Sequence, residues 1–172
     1  MFDWSAIIPD EAYSPDTTLG EGERVALDVI RNECGWHVFP LIKQPLILDP
    51  TDSPILPLPT RMAVGVESVA VGGQLLLPGD YQLLQTGQLK RSRGRWDRPI
   101  ELTLVHGFQN LPRPIQAVMK SLSRLESAGG ATQITAGPFS MTAPEGAEAG
   151  VVGLNPYQRR ALEPYMIGPA PW

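Results

Sequence analysis

MAVGVESVAVGGQL, residues 62–75, decides how the rest of the chain is read. Val64 and Val66, then Val69 and Val71, are β-branched and alternate on either side of a slip at Glu67-Ser68, the pattern of a strand with one buried face. Gly72-Gly73 supplies a two-residue hairpin turn, and Gln74 to Leu77 returns. Outward from this hairpin, Pro78-Gly79-Asp80 predicts a second turn. Tyr81–Gln85 and Gln88–Arg91 pair around Thr86-Gly87. Ile100, Leu102 and Leu104 alternate with Glu101, Thr103 and Val105 in a last strand, read as the longest and as the sheet centre. Gly107 ends the sheet.

Helical patterns flank this meander. Thr18-x-x-Glu21 matches a capping box, and Val25, Ala26, Val29 and Ile30 form an apolar stripe that Gly35 closes as a left-handed C′ residue. Pro112 and Pro114 fit only a first helical turn, followed by the stripe Ile115, Val118, Met119, Leu122 and Leu125. Between the first helix and the meander, Trp36–Pro40 reads as β-like and Leu41–Leu48 as extended. Pro45, Pro50, Pro54, Pro57 and Pro59 then restrict that region to edge strands and loop.

The expected organisation is therefore α+β: a small helical core with a β-rich insertion and extended arms. Residues 1–17 form an N-terminal arm. Residues 18–127 form the folded domain, with helices over 18–34 and 112–126 around an insertion of about 36–106. Residues 128–172 form a C-terminal arm whose Gly, Ala, Thr and Ser content reads as flexible through 153. A short helix near 155–166 has Pro156 at its first position and Leu162 and Tyr165 on one side.

Charge is divided along the chain. The net charge is −4, yet residues 1–52 carry ten acids and three bases, whereas residues 88–126 carry eight bases and three acids. Such polarity suits subunits packing head to side in a ring, or a channel with one charged lip; the alternative is a solvated surface with random asymmetry. The positive end is concentrated in Lys90, Arg91, Arg93, Arg95 and Arg98. This cluster has three readings. It contacts phosphates, with Trp96 stacking on a base; it meets an acidic surface on a neighbouring subunit or lines a channel; or it is a solvated hairpin tip. The C-terminal arm carries Tyr157, Arg159, Arg160, Leu162, Tyr165 and Trp172, residue types favoured at binding hot spots, and reads as a docking arm for a partner.

Catalytic and cofactor signatures are absent. No nucleophile elbow, phosphate loop or dinucleotide fingerprint occurs. His37, His106 and the single Cys34 lack metal-ligand spacing and read as structural, the thiol buried. One cysteine permits no internal disulfide and fits a reducing cytosol or indifference to redox state. The first residues lack the basic and apolar regions of a leader, and no stretch reaches the roughly 18 apolar residues of a membrane span.

The segment Cys34-Gly35-Trp36-His37-Val38-Phe39-Pro40 at the end of the first helix resembles head-to-tail adaptor (connector) proteins of long-tailed bacteriophages, especially phages of actinobacteria. The similarity continues through Leu58-Pro59-Thr60, the Val-rich strand, Asp80-Tyr81, Arg93-Gly94-Arg95-Trp96, Val105-His106-Gly107-Phe108 and Pro112-x-x-Ile115, and extends to Tyr157, Arg160 and Leu162. This resemblance implies a structural, non-enzymatic virion protein that needs no cofactor. Such proteins form a ring, usually dodecameric, docked on the portal protein at the head-tail junction. The ring extends the channel through which DNA passes and offers a surface to the next neck protein, the stopper; the subunits are made in the host cytoplasm. On this resemblance the two helices are the ring core, strands 62–106 the insertion, and residues 154–172 the arm that grips the portal. The other readings are another neck component (a stopper or tail terminator), a small nucleic-acid-binding module using the basic cluster, or a small hydrolase using His37 or His106.

Overall fold

In the computed structural model, residues 19–127, 133–136, 139–142 and 154–167 are described. The expected N-terminal arm, Thr18, most of the linker and Trp172 lie outside them. The elements, in order, are helix α1 (Glu21–Cys34) and strands β1 (Ile42–Leu48), β2 (Ile55–Pro57), β3 (Ala63–Val71), β4 (Gln74–Leu75), β5 (Tyr81–Leu83), β6 (Gln88–Arg91) and β7 (Ile100–His106). Helix α2 (Arg113–Ser127), strands β8 (Gln133–Ala136) and β9 (Phe139–Thr142), helix α3 (Pro156–Leu162) and a 3-10 turn (Glu163–Tyr165) follow. The fold is α+β, and the chain divides into a helical unit interrupted by a β unit that comprises Gly35–Leu111 and residues 165–167.

In the β unit, a four-stranded antiparallel sheet runs β1-β7-β3-β4, and a three-stranded sheet runs β2-β6-β5. Strand β7 is central as expected, but β3, at nine residues against seven, is the longer strand. Its ladder with β7 shifts register between Ala63 and Gly65 and again between Val66 and Ser68, the second at the predicted slip. Pro45 is accommodated because β1 is an edge strand paired only with β7. Gly72 and Gly73 turn the β3–β4 hairpin with φ of 56° and 80°, where a residue with a Cβ is strained. Apolar side chains from both sheets close one core: Leu56, Leu58, Val69, Val71, Leu89, Trp96, Ile100, Leu102 and Leu104.

The β-like reading of Trp36–Pro40 gives way to an irregular turn, closed locally by a 2.7 Å hydrogen bond between the His37 ring Nε2 and the Pro40 carbonyl. The Phe108 amide donates to the Val38 carbonyl, so the segment is held without a ladder.

In the helical unit, α1 buries Ala26, Leu27, Ile30 and Cys34, and α2 buries Ile115, Val118, Met119 and Leu122. The start of α1 lies later than the Thr18 box: Gly20 precedes the first turn, and Glu23 Oε2 accepts from the Gly20 amide at 3.1 Å, satisfying a donor that the helix leaves unpaired. Gly35 follows the helix at φ 75°, in the left-handed region as expected. Within the stretch read as a flexible linker, β8 and β9 instead pair antiparallel, Gln133 with Thr142 through Ala136 with Phe139.

Candidate interaction surfaces

The basic cluster is not a free hairpin tip. It spans the end of β6 and the crossing to β7, and that crossing is bonded to residues 51–54. The Trp96 amide donates to the Ser53 carbonyl at 2.9 Å, and the amides of Thr51 and Asp52 both donate to the Trp96 carbonyl at 3.0 Å. Trp96 itself is fully buried, with its indole N–H donating to the Pro54 carbonyl at 3.1 Å. This removes the alternative in which Trp96 stacks on a base, because the ring is taken up inside the protein.

Two of the five cations serve the loop. Arg91 sits across the Trp96 ring at 5.5 Å and donates to the Arg95 carbonyl at 2.7 Å, closing the loop on itself. Arg95 donates to the Asp52 carbonyl at 3.3 Å and meets its carboxylate at 3.8 Å, an exposed pair of small energetic value. Lys90, Arg93 and Arg98 are exposed, and among the described residues their side chains have no hydrogen-bond or ion-pair partner.

The neighbouring turns are tied to the same loop. Ser92 donates through its amide to the Asp80 carbonyl at 2.8 Å and through its hydroxyl to the Gly79 carbonyl at 2.9 Å. The Gly72 amide donates to the Pro99 carbonyl, and the Arg98 stem lies so close over Gly72 that an added Cβ would sit 2.8 Å from its Cδ. Residues 72–80 and 91–98 are thus one rim. It exposes Leu75 (68%) and Leu77 (71%) beside Arg93 and Arg98.

The C-terminal residues divide into two groups. Asn155 and Gln158 form a reciprocal capping box at the start of α3, with Pro156 in the first turn as expected. The Gln158 amide also donates to Ser121 Oγ on α2 at 3.2 Å, and Arg159 meets Glu33 on α1 at 2.8 Å. Leu162 is fully buried, which corrects its reading as a docking residue: burial of its side chain fixes α3 in the helical unit. In the β unit, the Tyr165 ring packs edge-on against Phe108, its carbonyl accepts from the Trp36 indole at 2.7 Å, and the Met166 carbonyl accepts from Arg61 at 2.7 Å. Tyr165 is half-buried in this network. The side chains left facing outward are Tyr157, 87% exposed, and Arg160. Trp172 lies outside the described residues.

His37 and His106 meet edge to face at 5.7 Å. The His106 Nε2 pairs with Gln44 Oε1 at 2.9 Å, while its Nδ1 is buried with no hydrogen-bond partner among the described residues. Burial, with His37 beside it, pushes the His106 pKa down to about 4. Cys34 is buried in the helical unit, and burial together with the Glu33 carboxylate pushes its thiol up to about 11. The Cys34 thiol therefore carries almost no thiolate near neutral pH, the form that a nucleophile requires. Among the described residues, no group of three or more His, Cys, Asp or Glu side chains could hold a metal ion, and no helix is long and apolar enough to cross a membrane.

No family model matches the chain, and no curated protein matches it. Among solved structures, the chain is similar to one described as the neck of a native GTA particle computed with C12 symmetry. The TM-score is 0.57 at 15% identity, over 97% of this chain and 90% of that one. The likeness is one of fold, and it spans both units.

Proposed function

We propose that the chain is a structural subunit of the neck of a phage-like particle and acts by surface complementarity rather than catalysis. The observation that carries this reading is the near full-length correspondence of fold with a neck structure computed with C12 symmetry. The ordered motifs from Cys34 to Ile115 support it independently.

Within the neck we assign it the adaptor role: a homo-oligomeric ring, with twelve copies as in the symmetry of its structural neighbour, docked on the portal and presenting a surface to the stopper. Tyr157 and Arg160 are the docking side chains, because they face outward from a helix fixed by Leu162, Gln158 and Arg159. Lys90, Arg93 and Arg98 make the inter-subunit or channel contact. DNA passes without sequence-specific binding; the burial of Trp96 removes the stacking platform that a dedicated nucleic-acid module would use.

The test is electron microscopy of particles assembled without this chain. Filled heads that lack tails or leak DNA are expected, and normal tailed particles overturn the proposal. Adaptor and stopper roles separate by order of assembly: an adaptor binds tailless heads directly through the portal, whereas a stopper requires another protein first.

A further inference from the structure

The rim formed by residues 72–80 and 91–98 carries two exposed leucines, four arginines and two acids, Asp80 and Asp97; among the described residues the side chains of Arg93 and Arg98 have no hydrogen-bond or ion-pair partner. Leu75 and Leu77 are 68% and 71% exposed, unusual for large aliphatic side chains beside a well-filled core, and their segment is tied through Gly72, Gly79 and Asp80 to the one that carries Arg93 and Arg98. A surface of this composition fits a segment that is both apolar and acidic. The chain contains one. Residues 1–18 carry Asp3, Asp10, Glu11 and Asp16 with Phe2, Trp4, Ile7, Ile8 and Tyr13, and the first basic residue of the whole sequence is Arg24.

We propose that this rim is the docking surface for residues 1–18 of a neighbouring copy of the same chain. The inference rests on the ring reading above and names what joins its subunits. Binding of a segment of one copy to a different surface of the next is a heterologous contact, the kind that closes into a ring when each copy repeats it. Eighteen residues in extended form reach about 60 Å, enough to cross to an adjacent subunit. Opposite charge selects the partner and its register, and burial of Leu75 and Leu77 supplies the apolar part of the contact.

Lys90 provides the probe, being exposed and adjacent to the rim, while Lys43 and Lys120 are the only other lysines. Full-length chain is prepared in two isotopic forms, mixed, and treated with a carbodiimide, which activates a carboxylate as an O-acylisourea; the lysine amine attacks it, an amide forms and the substituted urea leaves. The expected product is a mixed-label peptide joining Lys90 to Asp10, Glu11 or Asp16. Its yield falls by about tenfold in R93E/R98E and in the unaltered chain at molar salt. Links confined to one isotope, links equally frequent at Lys120, or no link at Lys90 overturn the docking. Particle mass, measured on the same sample, separates the two ideas. A ring without mixed-label links overturns the docking alone, whereas a monomer without links removes the ring reading with it.

Discussion

The guanidinium of Arg91 lies 5.5 Å from the centroid of the Trp96 ring, and the same guanidinium donates to the Arg95 carbonyl at 2.7 Å. A residue that looks like part of an exposed cationic cluster is therefore a clasp, holding the crossing between β6 and β7 over the largest buried side chain of the β unit. Cations that close the loop, Arg91 and Arg95, alternate with Lys90, Arg93 and Arg98, which have no described partner, and substitutions should separate the two sets.

Trp96→Ala should destabilise the β unit by about 3–5 kcal/mol, the cost of emptying an indole-sized site in a packed core. Trp96→Phe keeps most of the volume and loses the hydrogen bond to Pro54, so it should cost about 1–2 kcal/mol. Denaturant unfolding followed by circular dichroism measures both. Equal losses for the two substitutions would show that the indole hydrogen bond, and not the filling of the core, sets the cost.

Arg93→Ala and Arg98→Ala should each change stability by less than about 0.5 kcal/mol, because neither side chain has a described polar partner. Arg91→Ala should cost more, about 1 kcal/mol, through loss of the ring contact and the bond to Arg95. Thermal melts of the three variants test the ranking; a melt in which Arg93→Ala falls furthest contradicts it.

His106 gives the protein a defined acid sensitivity. Its folded pKa of about 4 lies below the usual 6.5, so the unfolded chain binds the proton more readily. Stability contributed by the neutral ring is fully present above about pH 6.5 and is lost as pH falls from there towards 4. The loss is on the order of 2–3 kcal/mol. Unfolding free energies across this window should slope downward in the unaltered chain and flatten in His106→Gln. Identical slopes would place the effect elsewhere.

Gly107 and Gly79 should respond oppositely to alanine. Gly107 has φ 103°, and a Cβ there would run into the Pro40 carbonyl oxygen, so Gly107→Ala should cost about 3 kcal/mol or more. Gly79 has open space around it and an ordinary φ, so Gly79→Ala should stay within about 0.5 kcal/mol. Comparing midpoints of chemical unfolding decides the matter.

Cys34 should resist thiol reagents at pH 8 in the folded chain and react at once in denaturant, since its pKa of about 11 leaves almost no thiolate. Rapid labelling under native conditions would mean that the helical unit opens readily.

Local rules carried much of the fold. The alternating valines of β3, the Gly72-Gly73 turn, Pro45 on an edge and Pro156 opening α3 each express a constraint set by a few adjacent residues. What escaped was set at long range. Trp96 is buried because residues 51–54 bond to it across more than forty positions, and no spacing near Trp96 announces that partner. Leu162 appeared available because its short helix is bounded by Pro164, yet that helix packs against α1 and α2 and the side chain is fully buried. The pairing of β8 with β9 was missed because Gly, Ala, Thr and Ser composition dominates that region. For the candidate surface, residue type pointed to Tyr157 and Arg160, but only the fold separated them from Leu162 and Tyr165.

The insertion of Gly35–Leu111 between α1 and α2 has a consequence for synthesis. As the chain leaves the ribosome, α1 emerges first, but the helix it packs against is encoded after the entire β unit. During that interval its apolar stripe of Ala26, Leu27 and Ile30 has no native partner. The β unit, by contrast, has its strands together once residue 106 has appeared. The order of birth thus favours a β unit that forms early, while the helical unit waits for a distant stretch of chain and meets the larger loop-closure entropy.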